Sequence, residues 1–137
     1  MTKPTSPAAR FWPKVTKTDT CWQWDAGLDS SGYGQFRLTS SRKIVAHRFA
    51  YELLVGQVPD GLQLDHLCRN RACVNPAHLE AVTSRENTLR GEGPTARHAR
   101  KSHCKHGHSF TPENTRYALD GARVCRTCED ARRKDRR

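Results

Sequence analysis

Residues 61–90 read GLQLDHLCRNRACVNPAHLEAVTSRENTLR, and this stretch decides the fold. Leu62, Leu64 and His66 alternate with Gln63 and Asp65, the period-two pattern of a strand. A turn-rich loop carrying Cys68 and Cys73 follows, Leu79 to Val82 resumes a strand, and Thr83 with Glu86 forms a capping box that starts a helix. The order is strand, loop, strand, helix. Asn87 falls one turn into that helix, 21 residues after His66, where its side chain can face back across the hairpin toward Asp65. An acid, a histidine and an amide gathered in this way make a candidate metal site. Neighbouring residues of a regular strand point to opposite faces, so Asp65 and His66 reach one ligand only if the strand ends or twists there. Spacing alone also permits a surface acid beside a loop histidine.

Upstream, Pro59-Asp60-Gly61 is a turn that delivers the chain into this stretch. From Ala46 to Val55 apolar residues recur at helical spacing, with Phe49, Ala50, Leu53 and Leu54 on one stripe and Gly56 as the stop. His47 and Arg48 begin this helix. His47 reads as a core histidine hydrogen-bonded to backbone, with a direct site role as the alternative; Arg48 suits a phosphate contact or a loop cap. Tyr33 to Leu38 and Lys43 to Val45 alternate about turns at Asp29-Ser30-Ser31-Gly32 and Ser40-Ser41, giving an antiparallel hairpin. Cys21-Trp22-Gln23-Trp24 is a further strand with both tryptophans in the core. Residues 1–18 are expected to be a flexible N-terminal segment, from which Phe11-Trp12-Pro13 can tuck onto the body.

Downstream, Gly91 to Lys101 holds Gly, Pro and basic residues without apolar periodicity, so residues 92–102 read as a linker. Residues 103–137 then hold Cys104-x3-His108, a hairpin turning at Asp120-Gly121, Cys125-x2-Cys128 and a basic tail, EDARRKDRR, that suits a helix or a phosphate-binding arm. A zinc ion takes four tetrahedral N/S ligands, and a two-residue gap lets two thiolates of one turn meet one ion. Cys104, His108, Cys125 and Cys128 therefore form a zinc site of treble-clef or zinc-ribbon type, with His103 and His106 as alternatives to His108. The remaining cysteines, Cys21, Cys68 and Cys73, lack a fourth, and His78 at the close of the same loop completes a second zinc set. The alternative is that Cys21 is a small buried hydrophobe.

With 137 residues there is room for one compact domain and a small appendage. Hydrophobic residues make up 35%, so the core is small and needs extra fastening. The 24 Lys+Arg against 14 Asp+Glu give a net +10 and a pI near 9.8, which suits a polyanionic partner, nucleic acid first, or else a solvated basic surface. The sequence has no long apolar run and no secretory-type apolar region near Met1, so the expectation is a soluble, cytoplasmic protein without membrane contact. In such a reducing compartment six cysteines serve as metal ligands rather than disulfides. Arg48, Arg69, Arg71, Arg85 and Arg90 sit beside or near the central residues, and their guanidinium forks suit DNA phosphates. Nothing resembles a helix-turn-helix.

Leu64-Asp65-His66, Asn75-Pro76-Ala77-His78-Leu79 and Val82-Thr83-Ser84-Arg85-Glu86-Asn87, with upstream Ala46-His47-Arg48 and Tyr33-Gly34-Gln35-Phe36, resemble the HNH endonucleases of ββα-metal (His-Me finger) fold. The likeness is to their phage and intron-encoded branch and runs from about Cys21 to Arg90. It implies an α+β protein: a small ββα-metal domain over residues 19–91, with N-terminal antiparallel strands and a C-terminal zinc module. It implies that His66 is the general base, and that Asp65 and Asn87 hold Mg²⁺ or Mn²⁺ through oxygen. The middle letter of the motif is shared between Asn75, which suits a turn before proline, and His78. The last letter is Asn rather than His, as in the homing branch. The implied function is metal-dependent DNA cleavage, with nicking the simpler default for a monomer and double-strand cutting for a dimer. Two rivals stay open: a zinc-stapled DNA-binding protein without activity, and a packaging accessory active only with a phage terminase.

Overall fold

Alternating stretches of three to five residues can build only short strands, and the strand pairs of this protein are all antiparallel and two-stranded among the described residues. The computed structural model describes residues 6–137, and the chain divides into two units after Asn87. In the first unit, β1 (Val15–Lys17) pairs with β2 (Trp22–Trp24), and β3 (Gln35–Arg37) with β4 (Lys43–Val45). Helix α2 (Ala46–Leu54) follows β4 directly. Then β5 (Leu62–His66) pairs with β6 (Leu79–Thr83), with Asp65 opposite Glu80 and His66 opposite Leu79, and the chain enters α3 (Ser84–Arg90). The capping box is made at this junction: the Thr83 N–H donates to Glu86 Oε2 at 3.0 Å, and the Glu86 N–H to Thr83 Oγ1 at 3.2 Å.

The core of this unit is aromatic and assembled from distant segments: Phe11, Trp24, Phe36, Ala46, Ala50 and Val74. Phe11 is fully buried, its ring 5.0 Å from Trp24, 5.1 Å from Phe36 and 4.8 Å from Phe49. The expectation of a flexible segment over residues 1–18 is therefore corrected from Ser6 onward; Met1 to Thr5 lie outside the described residues. Ser6 caps a one-turn helix α1 (Pro7–Phe11), with Pro7 at its favoured first position, and burial of one aromatic side chain, about 1.5–3 kcal/mol, holds it in place. Trp24 is core, whereas Trp22 is half-buried beneath the Lys17 ammonium, 4.1 Å from its ring. The α2 stripe is also only partly realised. Ala46, His47 and Ala50 are buried, but Leu53 and Leu54 stand about half exposed because the helix runs past the small core.

β3 and the start of α2 meet at Gly34. A Cβ there would lie 2.7 Å from Trp24 Cδ1 and 2.9 Å from Ala46 Cβ, so only glycine permits the approach, which the Ala46 N–H to Gly34 carbonyl bond of 2.8 Å then fixes.

The second unit has little apolar interior: of its described residues only Ala96 and Cys125 are buried hydrophobics. Residues 94–100, expected as linker, form α4 (Pro94–Arg100). The helix has no apolar stripe because it buries only Ala96; Pro94 at the first position starts it, and Arg100 donates to the Gly91 carbonyl at 2.6 Å. Strands β7 (Thr115–Tyr117) and β8 (Arg123–Cys125) make the hairpin about Asp120-Gly121, and the basic tail forms α5 (Arg126–Lys134). The Arg123 guanidinium lies 4.4 Å from the Phe110 ring and donates to the carbonyls of His98 and Lys101. Among the described residues no helix is long and apolar enough to cross a membrane.

Candidate active site and metal clusters

β5 ends at His66, and there both conflicting neighbours are buried: Asp65 is 4% exposed and His66 5%. His66 Nε2 lies 3.0 Å from the carbonyl oxygen of Cys73. A carbonyl can only accept, so Nε2 carries the proton and Nδ1 is left as the ring's basic nitrogen. Burial lowers the pKa of His66; the Arg71 charge acts the same way, and the Cys73 bond and the Asp65 carboxylate oppose it. The imidazole is thus neutral near pH 7, the form a base needs.

The loop that offers the Cys73 carbonyl is tied to β2 rather than to the hairpin it interrupts. The Trp24 N–H donates to the Ala72 carbonyl at 3.0 Å, the Val74 N–H to the Trp22 carbonyl at 2.8 Å, and Asn70 Nδ2 to Gln23 Oε1 at 3.0 Å. The loop turns at Arg69, which takes a left-handed φ of 60° and places its guanidinium 3.2 Å from Asp65 Oδ1. Asn87 Nδ2 donates to Gln63 Oε1 at 3.0 Å, so the amide sits over β5 two residues from Asp65 on the same strand face. That bond uses the NH₂ group and leaves the Asn87 carbonyl oxygen as a hard donor atom, beside the Asp65 carboxylate in kind.

A second wall of the site comes from the segment before β3. Asp29 accepts from the Ser31 N–H at 2.8 Å, the Tyr33 N–H at 3.0 Å and Gln35 Nε2 at 3.1 Å; these bonds, that from Tyr33 foremost, hold its carboxyl below the usual range. The turn so fixed brings the Tyr33 ring to 5.8 Å from His66 and 5.6 Å from His47. Arg71 lies over the outer side of Tyr33 at 5.3 Å and donates to the Ser31 carbonyl at 2.7 Å. His47 is buried as expected, but the backbone hydrogen bond expected of it is not made: its Nδ1 has no partner among the described residues.

Of the other arginines, Arg48 pairs with Glu52 one turn on at 2.8 Å, Arg85 is exposed on α3, and Arg90 closes α3. Asn75 caps the short turn Pro76–His78, accepting from the Ala77 N–H at 3.0 Å, and donates to the Thr20 carbonyl at 2.9 Å.

The cysteines fall into the two sets that their spacing proposes. Cys21, Cys68, Cys73 and His78 present four ligand atoms all within 4.8 Å of one another, with His78 Nδ1 3.7 Å from Cys21 Sγ and 3.6 Å from Cys73 Sγ. In the second unit Cys104, His108, Cys125 and Cys128 do the same, with Cys104 and Cys128 sulfurs 3.7 Å apart and His108 Nδ1 3.3–3.7 Å from the three sulfurs. His108, not His103 or His106, is the histidine of this set. Zn–S and Zn–N bonds of about 2.3 and 2.0–2.1 Å at tetrahedral angles require separations of roughly 3.5–3.8 Å. The geometry fits zinc, and the sulfurs are far beyond disulfide length. The chemistry fits as well: burial, then crowding by Cys21 and Cys68, pushes the Cys73 thiol up to about 11, and burial and the two neighbouring sulfurs push Cys128 up to about 11. At Cys104 burial is instead outweighed by hydrogen bonds, that from the His106 N–H foremost, and the thiol is lowered to about 6; a divalent cation would favour the thiolate at the others as well. Either cluster could therefore hold a metal such as zinc.

Residues 45–89, from the end of β4 to α3, match the family model described as HNH endonuclease. This segment belongs to the HNH endonuclease family. The HNH segment holds β5, β6, α3 and the whole His66 surroundings except the Tyr33 wall. Similar proteins come from phages: Protein 7.7 of Escherichia phage T7, 34% identical over 70 residues (51% of this chain, 53% of that protein), and Protein 2.8 of the same phage, 36% identical over 76 residues (55% and 50%). The uncharacterized gene 5.3 protein of Enterobacteria phage T3 is 34% identical over 67 residues (45% and 66%). The chain thus spans between half and two-thirds of the length of these relatives. No solved structure matches it.

Sequence reasoning did not find Cys73 as the group that orients His66, because a backbone carbonyl leaves no mark in residue identity. Gln63, the partner of Asn87, was equally silent, reading as the polar half of an alternating strand. Asp29 carried a signal only as a turn residue.

Proposed function

We propose that this protein is a metal-dependent DNA endonuclease that hydrolyses phosphodiester bonds with His66 as general base, cutting one strand per active site. The observation that carries the proposal is the His66 Nε2 to Cys73 carbonyl bond of 3.0 Å, which fixes the tautomer with a bare Nδ1 in a site where burial keeps the ring neutral. Nδ1 takes the proton of the attacking water. Asp65 and Asn87 supply the carboxylate and amide oxygens suited to Mg²⁺ or Mn²⁺, which when bound would neutralise the scissile phosphate and stabilise the leaving oxygen. Arg69 holds the Asp65 carboxylate in place until the cation takes it over. Arg71, fixed over Tyr33, serves the phosphate backbone, with Arg48, Arg85 and Arg90 as further phosphate contacts.

The second unit grips DNA. Residues 88–137 carry 13 Lys+Arg against 6 Asp+Glu, seven of the ten net positive charges, on a scaffold fastened by its Cys/His cluster.

Conversion of supercoiled plasmid to nicked circles tests the reading. The zinc-loaded protein is expected to nick in Mg²⁺ or Mn²⁺, not in buffer freed of both, and to lose activity in Asp65→Ala and Asn87→Ala. Salt-sensitive plasmid binding with no cleavage in either metal would instead identify a DNA-binding protein, and cleavage appearing only with a terminase would identify a packaging accessory.

A further inference from the structure

His47 is a histidine where packing alone calls for phenylalanine. It stands at the second position of α2, is 8% exposed, and its ring lies 4.5 Å from that of His66 at 64°. Nδ1 is wholly enclosed and makes no hydrogen bond among the described residues. An enclosed polar atom left without a partner costs about 1–3 kcal/mol, a penalty that the carbon ring of phenylalanine would not incur. The cost is smaller if Nδ1 is the bare nitrogen, which places the proton on Nε2. Among the described residues no hydrogen bond is made to Nε2 either, and it is not among the enclosed unpartnered atoms, so the residual exposure lies at its edge of the ring.

The surrounding structure is arranged to keep this ring in place. Gly34 allows β3 to close on Ala46, and Asp29 orders the turn that sets Tyr33 against both His47 and His66. Burial first, then the neighbouring His66 and Arg48, depresses the pKa of His47 to about 3, so it is an uncharged donor at all working pH values and cannot compete with His66 for the proton of water.

We propose that His47 is a second substrate-contacting residue, whose Nε2–H donates a hydrogen bond to a non-bridging oxygen of the scissile phosphodiester beside His66. This deepens the nuclease reading and rests on it. The phosphate is the fitting ligand because it is an acceptor without protons to offer, and because the reacting water that His66 serves must lie against it. A neutral, pre-placed donor of this kind stabilises the charge that grows on the phosphate during attack.

His47→Phe keeps the ring and removes the donor; His47→Gln restores an N–H at about the distance of Nε2. With zinc content unchanged, His47→Phe is expected to lower kcat for plasmid nicking by about 10²-fold with little change in KM, and His47→Gln to recover part of it. A His47→Phe protein that nicks at the parent rate overturns the inference. If that variant fails to fold, ring-nitrogen NMR of the unmodified protein decides. A short duplex added without Mg²⁺ or Mn²⁺ should shift the His47 Nε2–H signal, and bound duplex that leaves it unmoved overturns the inference. A protein that shows the His47 shift but does not nick in Mg²⁺ or Mn²⁺ loses the nuclease reading and, with it, the catalytic part of the inference, keeping His47 only as a phosphate contact; nicking with an unmoved His47 signal overturns the inference and leaves the nuclease reading standing.

Discussion

Cys73 joins two jobs in one residue: its sulfur belongs to the Cys21/Cys68/Cys73/His78 cluster and its carbonyl orients His66. Cys21→Ala, a change on the far side of the chain in sequence, should therefore damage catalysis. Without zinc the loop is held to β2 by three hydrogen bonds, two from backbone and one from Asn70, each worth about 0.5–1.5 kcal/mol net. A structural zinc contributes about 10–16 kcal/mol to the state that binds it, more than these three bonds together, so an ion held by this cluster would be the larger restraint on the stretch from Cys68 to Cys73, with Val74 kept in the core by burial. Once the carbonyl moves, nothing selects the tautomer with a bare Nδ1, and the advantage of base catalysis, about 10²–10⁴ in rate, is forfeited. The expected result is one zinc per chain instead of two by metal analysis, and a single-turnover nicking rate reduced by roughly that factor while DNA is still bound. A Cys21→Ala protein that has lost this zinc and still cleaves at the parent rate would refute the coupling. Cys128→Ala is the matched control, in which the other zinc is lost and DNA affinity falls but the rate for bound substrate holds.

Three further outcomes follow from the fold. Phe11→Ala should lower unfolding stability by about 3–5 kcal/mol in urea titration, since the ring is fully enclosed among Trp24, Phe36 and Phe49; a loss below about 1 kcal/mol would contradict its place in the core. Gly34→Ala forces a methyl group to within 3 Å of Trp24 and Ala46, so about 1–3 kcal/mol of stability and most of the nicking rate should go together, and an unaffected melting temperature would show that the approach is not close. Replacing the exposed Arg126 and Lys134 of α5 by alanine should make the dependence of log affinity on log salt shallower by about 1–2, and an unchanged slope would remove α5 from the DNA-binding surface.

The ββα order and the start of α3 were legible because they depend on local rules, alternation in β5 and the Thr83/Glu86 reciprocal bonds. The two Cys/His sets were legible because ligand chemistry limits the choice of residues, and the loop geometry needed only to close on them. What failed was long-range. The sequence lets Phe11-Trp12-Pro13 tuck onto the body, but that the order extends back to Ser6 follows only from Trp24 and Phe36 enclosing the Phe11 ring, and α4 buries one alanine and so has no stripe to detect. Leu53 and Leu54 share a face with Ala50, yet the core ends before it reaches them. For His47 the sequence offers a core histidine bonded to backbone or a direct site role; the burial is there, and that Nδ1 has no partner among the described residues shows only once the whole neighbourhood is in place.

In the proposed mechanism His66 activates water for strand cleavage. The direct measurement is the single-turnover rate of plasmid nicking in Mg²⁺ by the zinc-loaded protein and by His66→Ala at equal DNA occupancy. The parent should nick and the variant should lose about 10²–10⁴ in rate, with zinc content and DNA affinity unchanged. Equal rates for the two, in protein that is folded and zinc-loaded, would contradict it.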